Sequence, residues 1–485
     1  MLFEIHAERN ANDTKIFYYD NMSNVLKDAD GNIFEFPQES LSIPQEFLQI
    51  STPFDKAHPL KKSRQIKFLK IQMGLSCNYT CDYCSQKFVE RAPETNKDDV
   101  ADFIKKLEVL EFSEEQGLRV EFWGGEPLVY WKTLKPLAEA MLEKFANWKK
   151  KPQFSIITNG SILNDDIIDW LMMLNFNVSI SHDGPGQSVR GPDPFDDPKQ
   201  KEIILGFYRQ MSRLKKGFSF NAMLNSKNKS RKAIYDWFVK LTGDENIALG
   251  EGGIVDAYDE DGITNSLQSL QEHFEFRRTA VSDVLSTDGK IGFFGQIQKI
   301  DDFTRSVLAH REAKYLGQKC GMDDDHTIAV DLRGNVITCQ NVSALETSKN
   351  DEPHLGGNLD DYDNVELTSV THWSNRKECP ACPVLHLCKG ACMFLDKKFW
   401  DISCANAYSD NVAMFALAIH KMTGYIPTLI KNDALPLERQ DIFGTIYQHE
   451  EKPLQRTIPI KIISEKVAVI DDIEVYGKSR VEINT

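Results

Sequence analysis

The stretch Ile66-Lys67-Phe68-Leu69-Lys70-Ile71-Gln72, followed shortly by Cys77-Asn78-Tyr79-Thr80-Cys81-Asp82-Tyr83-Cys84, decides how the rest of the chain is read. The first part is short and rich in Ile, Phe and Leu, which predicts a β-strand. The second part is a cysteine loop leaving the end of that strand. Downstream the pattern alternates. Val100, Phe103, Ile104, Leu107 and Leu110 recur at helical spacing. Residues 119–123 read as a strand, 133–148 as a helix, and 154–158 as a third strand closed by Asn159-Gly160. Asn164 is placed to cap a helix carrying Ile167, Ile168, Leu171 and Met172. Further strands are predicted at 176–181, 218–224 and 247–254. About six β-then-α repeats predict an α/β fold with a parallel sheet wrapped by helices. Right-handed crossovers curl such units into a partial (β/α)6 TIM-like barrel. Its ligands would bind at the carboxyl ends of the strands.

Outward from this core, residues 1–64 contain an expected hairpin, with 15–19 and 33–36 as arms and Asp28-Ala29-Asp30-Gly31-Asn32 as the turn. The barrel is expected over 65–319, with a helical stretch from 256 to 319 completing its side. Region 320–425 has short elements, many turn residues and seven cysteines, so metal rather than a large core is expected to staple it. It ends in a helix over 405–422. The extension 426–485 contains a predicted pair of strands around Glu465-Lys466.

Bulk composition excludes several classes. A net charge of −15 argues against a general nucleic-acid binder, which needs clustered Lys and Arg. No apolar run approaches the roughly 20 residues that span a bilayer. The start carries Glu4, His6, Glu8 and Arg9 rather than a signal layout, so a cytoplasmic protein is expected.

All ten cysteines fall into two groups: Cys77, Cys81 and Cys84, then Cys320, Cys339, Cys379, Cys382, Cys388, Cys392 and Cys404. A disulfide framework suits a short secreted chain, so tight spacings in this one point to metal or cluster ligation. Three thiolates can hold three irons of a cubane cluster and leave the fourth iron open to a small molecule. A structural zinc site is closed by four protein ligands, and the first group supplies three. Cys379-x2-Cys382 and Cys388-x3-Cys392, taken alone, would also suit zinc.

The Cys77-x3-Cys81-x2-Cys84 spacing, with Tyr83 just before the last cysteine, resembles the radical S-adenosylmethionine (radical SAM) superfamily. The resemblance implies that these three cysteines are the catalytic centre and hold a [4Fe–4S] cluster whose open iron takes S-adenosyl-L-methionine. It further implies cosubstrate contacts from Tyr83, from Gly124-Gly125-Glu126-Pro127, from Ser181 and Asp183, and from Arg190. Glu126 would accept from the methionine ammonium, Ser181 or Asp183 would contact the ribose, and Arg190 would pair with the methionine carboxylate. Thr158-Asn159-Gly160, Asn225 and Gly250-Glu251-Gly252-Gly253 are further strand-end positions of the same type. Read alone, Gly124-Gly125-Glu126-Pro127 is a turn and Asp183-Gly184-Pro185 a loop start.

The downstream cysteines resemble the SPASM domain, the auxiliary-cluster extension of radical enzymes that modify peptides. That layout implies one [4Fe–4S] cluster on Cys379, Cys382, Cys388 and Cys404, and a second on Cys320, Cys339 and Cys392. Some relatives carry another cysteine six positions after the first of the seven; here that position is His326, so the fourth site is open or filled by His326. Three clusters are expected in all. The implied function is reductive cleavage of S-adenosylmethionine to a 5′-deoxyadenosyl radical that abstracts hydrogen from a ribosomally made precursor peptide bearing a leader. A side-chain cross-link, a carbon–carbon cyclophane or a thioether, would follow, with flavodoxin or ferredoxin as reductant. The N-terminal hairpin could select the leader by strand addition or act as a lid. The alternative within the class is an anaerobic sulfatase-maturing, formylglycine-generating enzyme. From another class, the alternative is a non-catalytic iron–sulfur electron carrier or zinc-binding module. No spacing singles out a general acid or base.

Overall fold

Phe3, Ile5 and Ala7 are buried between more exposed neighbours, the period of two that makes a half-buried strand. They lie in β1 (Leu2–Asn10), which pairs antiparallel with β2 (Asp13–Asp20); β2 pairs in turn with β3 (Val25–Asp28). The computed structural model describes residues 1–36, 54–287, 294–347, 353–368, 371–392, 395 and 397–446, and strands between 460 and 483. The predicted turn is present, with the Asp28 carboxylate accepting from the backbone of Asp30 and Asn32. Its second arm shrinks to one bridge, Lys27 to Ile33. The N-terminal unit is therefore a three-stranded meander and not the single expected hairpin, because residues 2–10 offer β2 a full-length apolar partner.

After the short β4 (Leu60–Lys61), the repeats follow as predicted: β5 (Phe68–Gln72), β6 (Arg119–Trp123), β7 (Gln153–Thr158), β8 (Asn177–Ser181), β9 (Phe218–Leu224) and β10 (Leu249–Ile254). They lie side by side in chain order and all run parallel. Between them cross α1 (Val100–Lys106), α2 (Trp131–Lys144), α3 (Asp165–Met173), α4 (Pro198–Arg213) and α5 (Arg231–Thr242). Asn164 caps α3 by accepting from the Ile167 amide, as expected. The core between sheet and helices is aromatic. Phe220 stacks on Phe238 at 4.7 Å and Phe122 meets Phe154 edge-on at 5.4 Å, all four fully buried. Each such side chain contributes about 1.5–3 kcal/mol by leaving water.

The helices α6 (Glu260–Thr264), α7 (Leu270–Leu285) and α8 (Phe294–Leu308) fill the stretch expected to be helical. The sheet then continues where a separate unit was expected. β11 (Thr327–Asp331) pairs parallel with the free edge of β5, and β12 (Asn335–Ile337) and β13 (Leu355–Asn358) extend the sheet antiparallel to nine strands. β14 (Glu366–Leu367) pairs with β4. After α9 (Leu385–Cys388), α10 (Lys397–Thr423) starts earlier than predicted, so Cys404 rides on a helix. β15 (Ile426–Lys431) then returns to pair with β1, and α11 (Leu437–Gln440) follows. In the tail, β16 (Ile460–Ile463) and β17 (Lys466–Ile470) occur where strands were predicted. They pair with β19 (Arg480–Ile483) and β18 (Ile473–Tyr476) rather than with each other, and Glu465 lies outside the described residues. Among the described residues no helix is long and apolar enough to cross a membrane.

Candidate functional site

The parallel strands deliver their carboxyl ends to one cavity with about 1510 Å³ of open space. Cys77, Cys81 and Cys84 line it from the loop after β5. Gly124, Gly125, Glu126 and Pro127 line it from the end of β6, Thr158 and Asn159 from β7, and Ser181 from β8. The two glycines are required by the cysteine loop itself. The Gly125 amide donates to Gly74 O at 3.1 Å and the Glu126 amide to Ser76 O at 3.0 Å. A Cβ on Gly125 would stand 2.4 Å from Ser76 O, closer than any side chain can approach.

Glu126 is buried, and its carboxylate takes three donors. Oε1 accepts from the Leu128 amide at 3.0 Å and the Thr158 hydroxyl at 2.7 Å, and Oε2 from the Asn159 amide at 2.7 Å. It thereby caps the turn at Pro127 and joins the ends of β6 and β7. Burial pushes its pKa up, against the pull of those three bonds. Two oxygens offer about four acceptor positions, so one remains for a donor in the cavity.

Asp183, Tyr83 and Arg190 form one buried unit. Asp183 Oδ2 accepts from the Tyr83 hydroxyl at 2.6 Å, and Oδ1 accepts from Arg190 Nη1 at 3.2 Å and the Met223 amide at 2.9 Å. Arg190 Nη1 also donates to Tyr83 Oη at 2.7 Å. Burial works against the Arg190 charge, but Tyr83, Asp183 and Cys81 outweigh it and raise its pKa. This guanidinium lines the cavity beside the thiols, and its buried Nε has no hydrogen-bond partner. Burial pushes Cys81 up to about 12, opposed by Arg190. A cation set against three thiols is the charge arrangement that thiolate ligation needs.

The downstream cysteines gather in two places. Cys379, Cys382, Cys388 and Cys404 line a second cavity of about 350 Å³, together with Trp400, Tyr408 and Arg439. Arg439 Nη2 donates to Cys404 Sγ at 3.3 Å. Cys339 is pushed up to about 12 by burial, and the nearby thiols of Cys320 and Cys392 add to the shift. The loop after Cys339 is tied to the sheet and to the first cavity. Gln72 Nε2 donates to the Gln340 and Val342 carbonyls at 2.7 and 2.6 Å, and Trp123 Nε1 donates to Asn341 Oδ1 at 2.9 Å. Among the described residues, no set of three or more His, Cys, Asp and Glu side chains is drawn in closely enough to hold a single metal ion.

Other predicted positions make contacts within the protein. Asp183 is buried beside the cavity, and its oxygens accept from Tyr83, Arg190, the Met223 amide and Asn225. Asn225 Nδ2 donates to Asp183 Oδ2 at 3.4 Å and to Gly186 O at 3.5 Å. Gly252 serves strand packing, since its Cβ would meet Ala222 O at 2.3 Å. The His326 ring is held at the foot of β11, where Nδ1 donates to Gln65 O at 2.7 Å and Nε2 stands 3.7 Å from Asp325. Nδ1 is thus engaged by the backbone, and Nε2 faces the Asp325 carboxylate. Residues that sequence reasoning missed also line the first cavity: Asn221, Met223, Asp256, Tyr258 and Asn341. Asn221 and Met223 lie in the predicted strand β9, whose carboxyl end was the available signal. The donor set of the first cavity fits an iron–sulfur group and a zwitterionic cosubstrate: three thiols, a buried cation and a carboxylate with one acceptor position left.

Residues 71–199 match the family model described as Radical SAM superfamily. Over 371 residues the chain is 23 % identical to the radical SAM cyclopropyl synthase TigE of Paramaledivibacter caminithermalis, covering 71 % of each protein. A shorter match, 27 % identical over 139 residues, links 28 % of the chain to 39 % of a GTP 3′,8-cyclase of Haemophilus influenzae. Among solved structures, native anSMEcpe with bound AdoMet superposes with a TM-score of 0.51 at 17 % identity, over 73 % of this chain and 99 % of that one. Residues 71–199 therefore carry a radical SAM domain, set in an α/β fold with a mostly parallel sheet.

Proposed function

We propose that the protein is a radical SAM peptide maturase of the SPASM type, which forms a side-chain cross-link in a ribosomally made precursor peptide. The observation that carries this reading is the joint placement of Cys77, Cys81, Cys84, Glu126, Ser181 and Arg190 around one cavity at the strand ends. A reduced cluster on the three cysteines would supply the electron that cleaves S-adenosylmethionine to methionine and a 5′-deoxyadenosyl radical.

The chain's own residues supply the rest. Arg190, held charged by Asp183 and Tyr83, pairs with the methionine carboxylate. Glu126 accepts from the methionine ammonium with its remaining lone pair, and the Ser181 hydroxyl meets the ribose. Leu75 and Pro127 add apolar surface to the wall. Cys379, Cys382, Cys388 and Cys404 hold one auxiliary cluster, with Arg439 donating to Cys404. Cys320, Cys339 and Cys392 are three ligands of another. The cyclopropyl synthase named above supports a carbon–carbon bond as the product.

Anaerobic reconstitution tests the reading. About twelve irons are expected, with deoxyadenosine formed on adding dithionite and S-adenosylmethionine and lost when Cys77, Cys81 and Cys84 become Ala. Bound zinc with little iron and no deoxyadenosine would overturn it in favour of a binding module.

A further inference from the structure

The loop after β10 brings Asp256 and Tyr258 into the wall of the first cavity. From that wall the Tyr258 hydroxyl donates to Cys392 Sγ at 3.6 Å. A second wall residue does the same for the neighbouring thiol, since the Asn341 amide donates to Cys339 Sγ at 3.4 Å. Two of the three cysteines in this group thus take hydrogen bonds from the surface that faces the first cavity. The segment carrying Tyr258 is fixed from below, where the Ala257 amide donates to Ser403 Oγ at 3.1 Å. Phenol, cavity and sulfur are therefore held in one geometry.

We infer that Tyr258 is a positioning residue that sets the reduction potential of the iron–sulfur group on Cys320, Cys339 and Cys392, and does so from the substrate cavity. The inference rests on the assignment of those cysteines to a cluster. Its physical basis is that a hydrogen bond to a thiolate sulfur stabilises the more negative, reduced state and raises the potential. The chemistry of bond closure needs such an acceptor. When a substrate carbon radical joins a second carbon or a sulfur, a C–H or S–H bond breaks. Its proton leaves to a base, for which the Asp256 carboxylate stands in the same wall, and one electron reduces the iron–sulfur group. Because Tyr258 also lines the cavity, an occupant that shifts its ring lengthens the hydroxyl's bond to Cys392 and lowers that potential.

The test needs no peptide. Full-length wild-type protein and Tyr258→Phe are reconstituted anaerobically and titrated by EPR-monitored redox potentiometry. One of three midpoint potentials is expected to move negative in the variant while the other two stay. Pulsed EPR after exchange into D2O is expected to show an exchangeable proton coupled to that cluster in the wild type and absent in the variant. Replacing Tyr258 by 3-fluorotyrosine, a stronger donor, is expected to move the same potential the other way, which also covers a Phe variant that loses iron. Three unchanged potentials, or a shift confined to the Cys77 cluster, overturn the inference. A wild-type protein holding only about four irons overturns the cluster assignment itself, before Tyr258 is considered.

Discussion

Asp183→Ala tests whether the site is organised around a buried ion pair. The carboxylate has no exposure and accepts from Tyr83, Arg190, the Met223 amide and Asn225. Removing it strands the Arg190 guanidinium, whose side chain is 15 % exposed, in a place too dry to solvate it. Breaking a buried pair in this way costs about 3–5 kcal/mol, and the orphaned Met223 amide puts the expected value toward the upper end. That is a large part of the roughly 5–15 kcal/mol that holds a domain folded. The assay is urea unfolding of the iron-free chain, followed by tryptophan fluorescence, for the wild type, Asp183→Ala, Arg190→Met and the double variant. If the stranded charge is what costs, the double variant recovers much of the loss, and the interaction energy is of that same order. A single variant within about 1 kcal/mol of wild type, or two losses that simply add, would refute the reasoning.

Four further outcomes are expected. Gly125→Ala forces a methyl to 2.4 Å from Ser76 O, displaces the cysteine loop, and lowers iron content by about four atoms per chain in a colorimetric assay. Gly206→Ala, inside α4 with only Arg209 nearby at 3.9 Å, is expected to stabilise by about 0.5–1 kcal/mol in a thermal melt. Glu126→Gln sets an amide donor against the Asn159 amide or gives up the Leu128 and Thr158 bonds. S-adenosylmethionine binding by calorimetry is expected to weaken on the order of 10–100-fold. Burial lowers the pKa of both His273 and His354 to about 4 from an ordinary 6.5, so the unfolded chain binds more protons between those values. Stability from these groups is present above pH 6.5 and is lost as pH falls toward 4; flat urea midpoints across that window would contradict it.

The parallel series could be read from the sequence because each strand announces itself locally, by an apolar run closed by turn residues such as Asn159-Gly160. The cysteine groups could be read because spacing is itself the signal. Other features depend on contacts far apart along the chain. Nothing near residue 327 says that β11 will complete the edge of β5, since that pairing is decided by which edge the barrel leaves open. The alternation of Phe3, Ile5 and Ala7 does not by itself announce a paired strand, because β15, its second partner, lies more than 400 residues away. The bonds that tie Asp183 to Tyr83 and Arg190 could not be read, because a strand-end position does not say where the side chain turns. Tyr258, Asp256 and Arg439 belong to no motif; they matter only through what the fold sets beside them.

The pairing of β1 with β15 sets a timetable. Glu4 faces Lys431 in that register, so the first strand to be made waits for one of the last before its outer edge is covered. At roughly 5–20 residues per second, a ribosome needs on the order of 20–80 seconds to bridge that interval. Throughout it β1 presents unpaired backbone and the apolar row of Phe3, Ile5 and Ala7 to whatever surrounds the nascent chain. A variant that weakens β15 would therefore be felt first as a poorer yield of folded protein during synthesis, and only afterwards in the finished molecule.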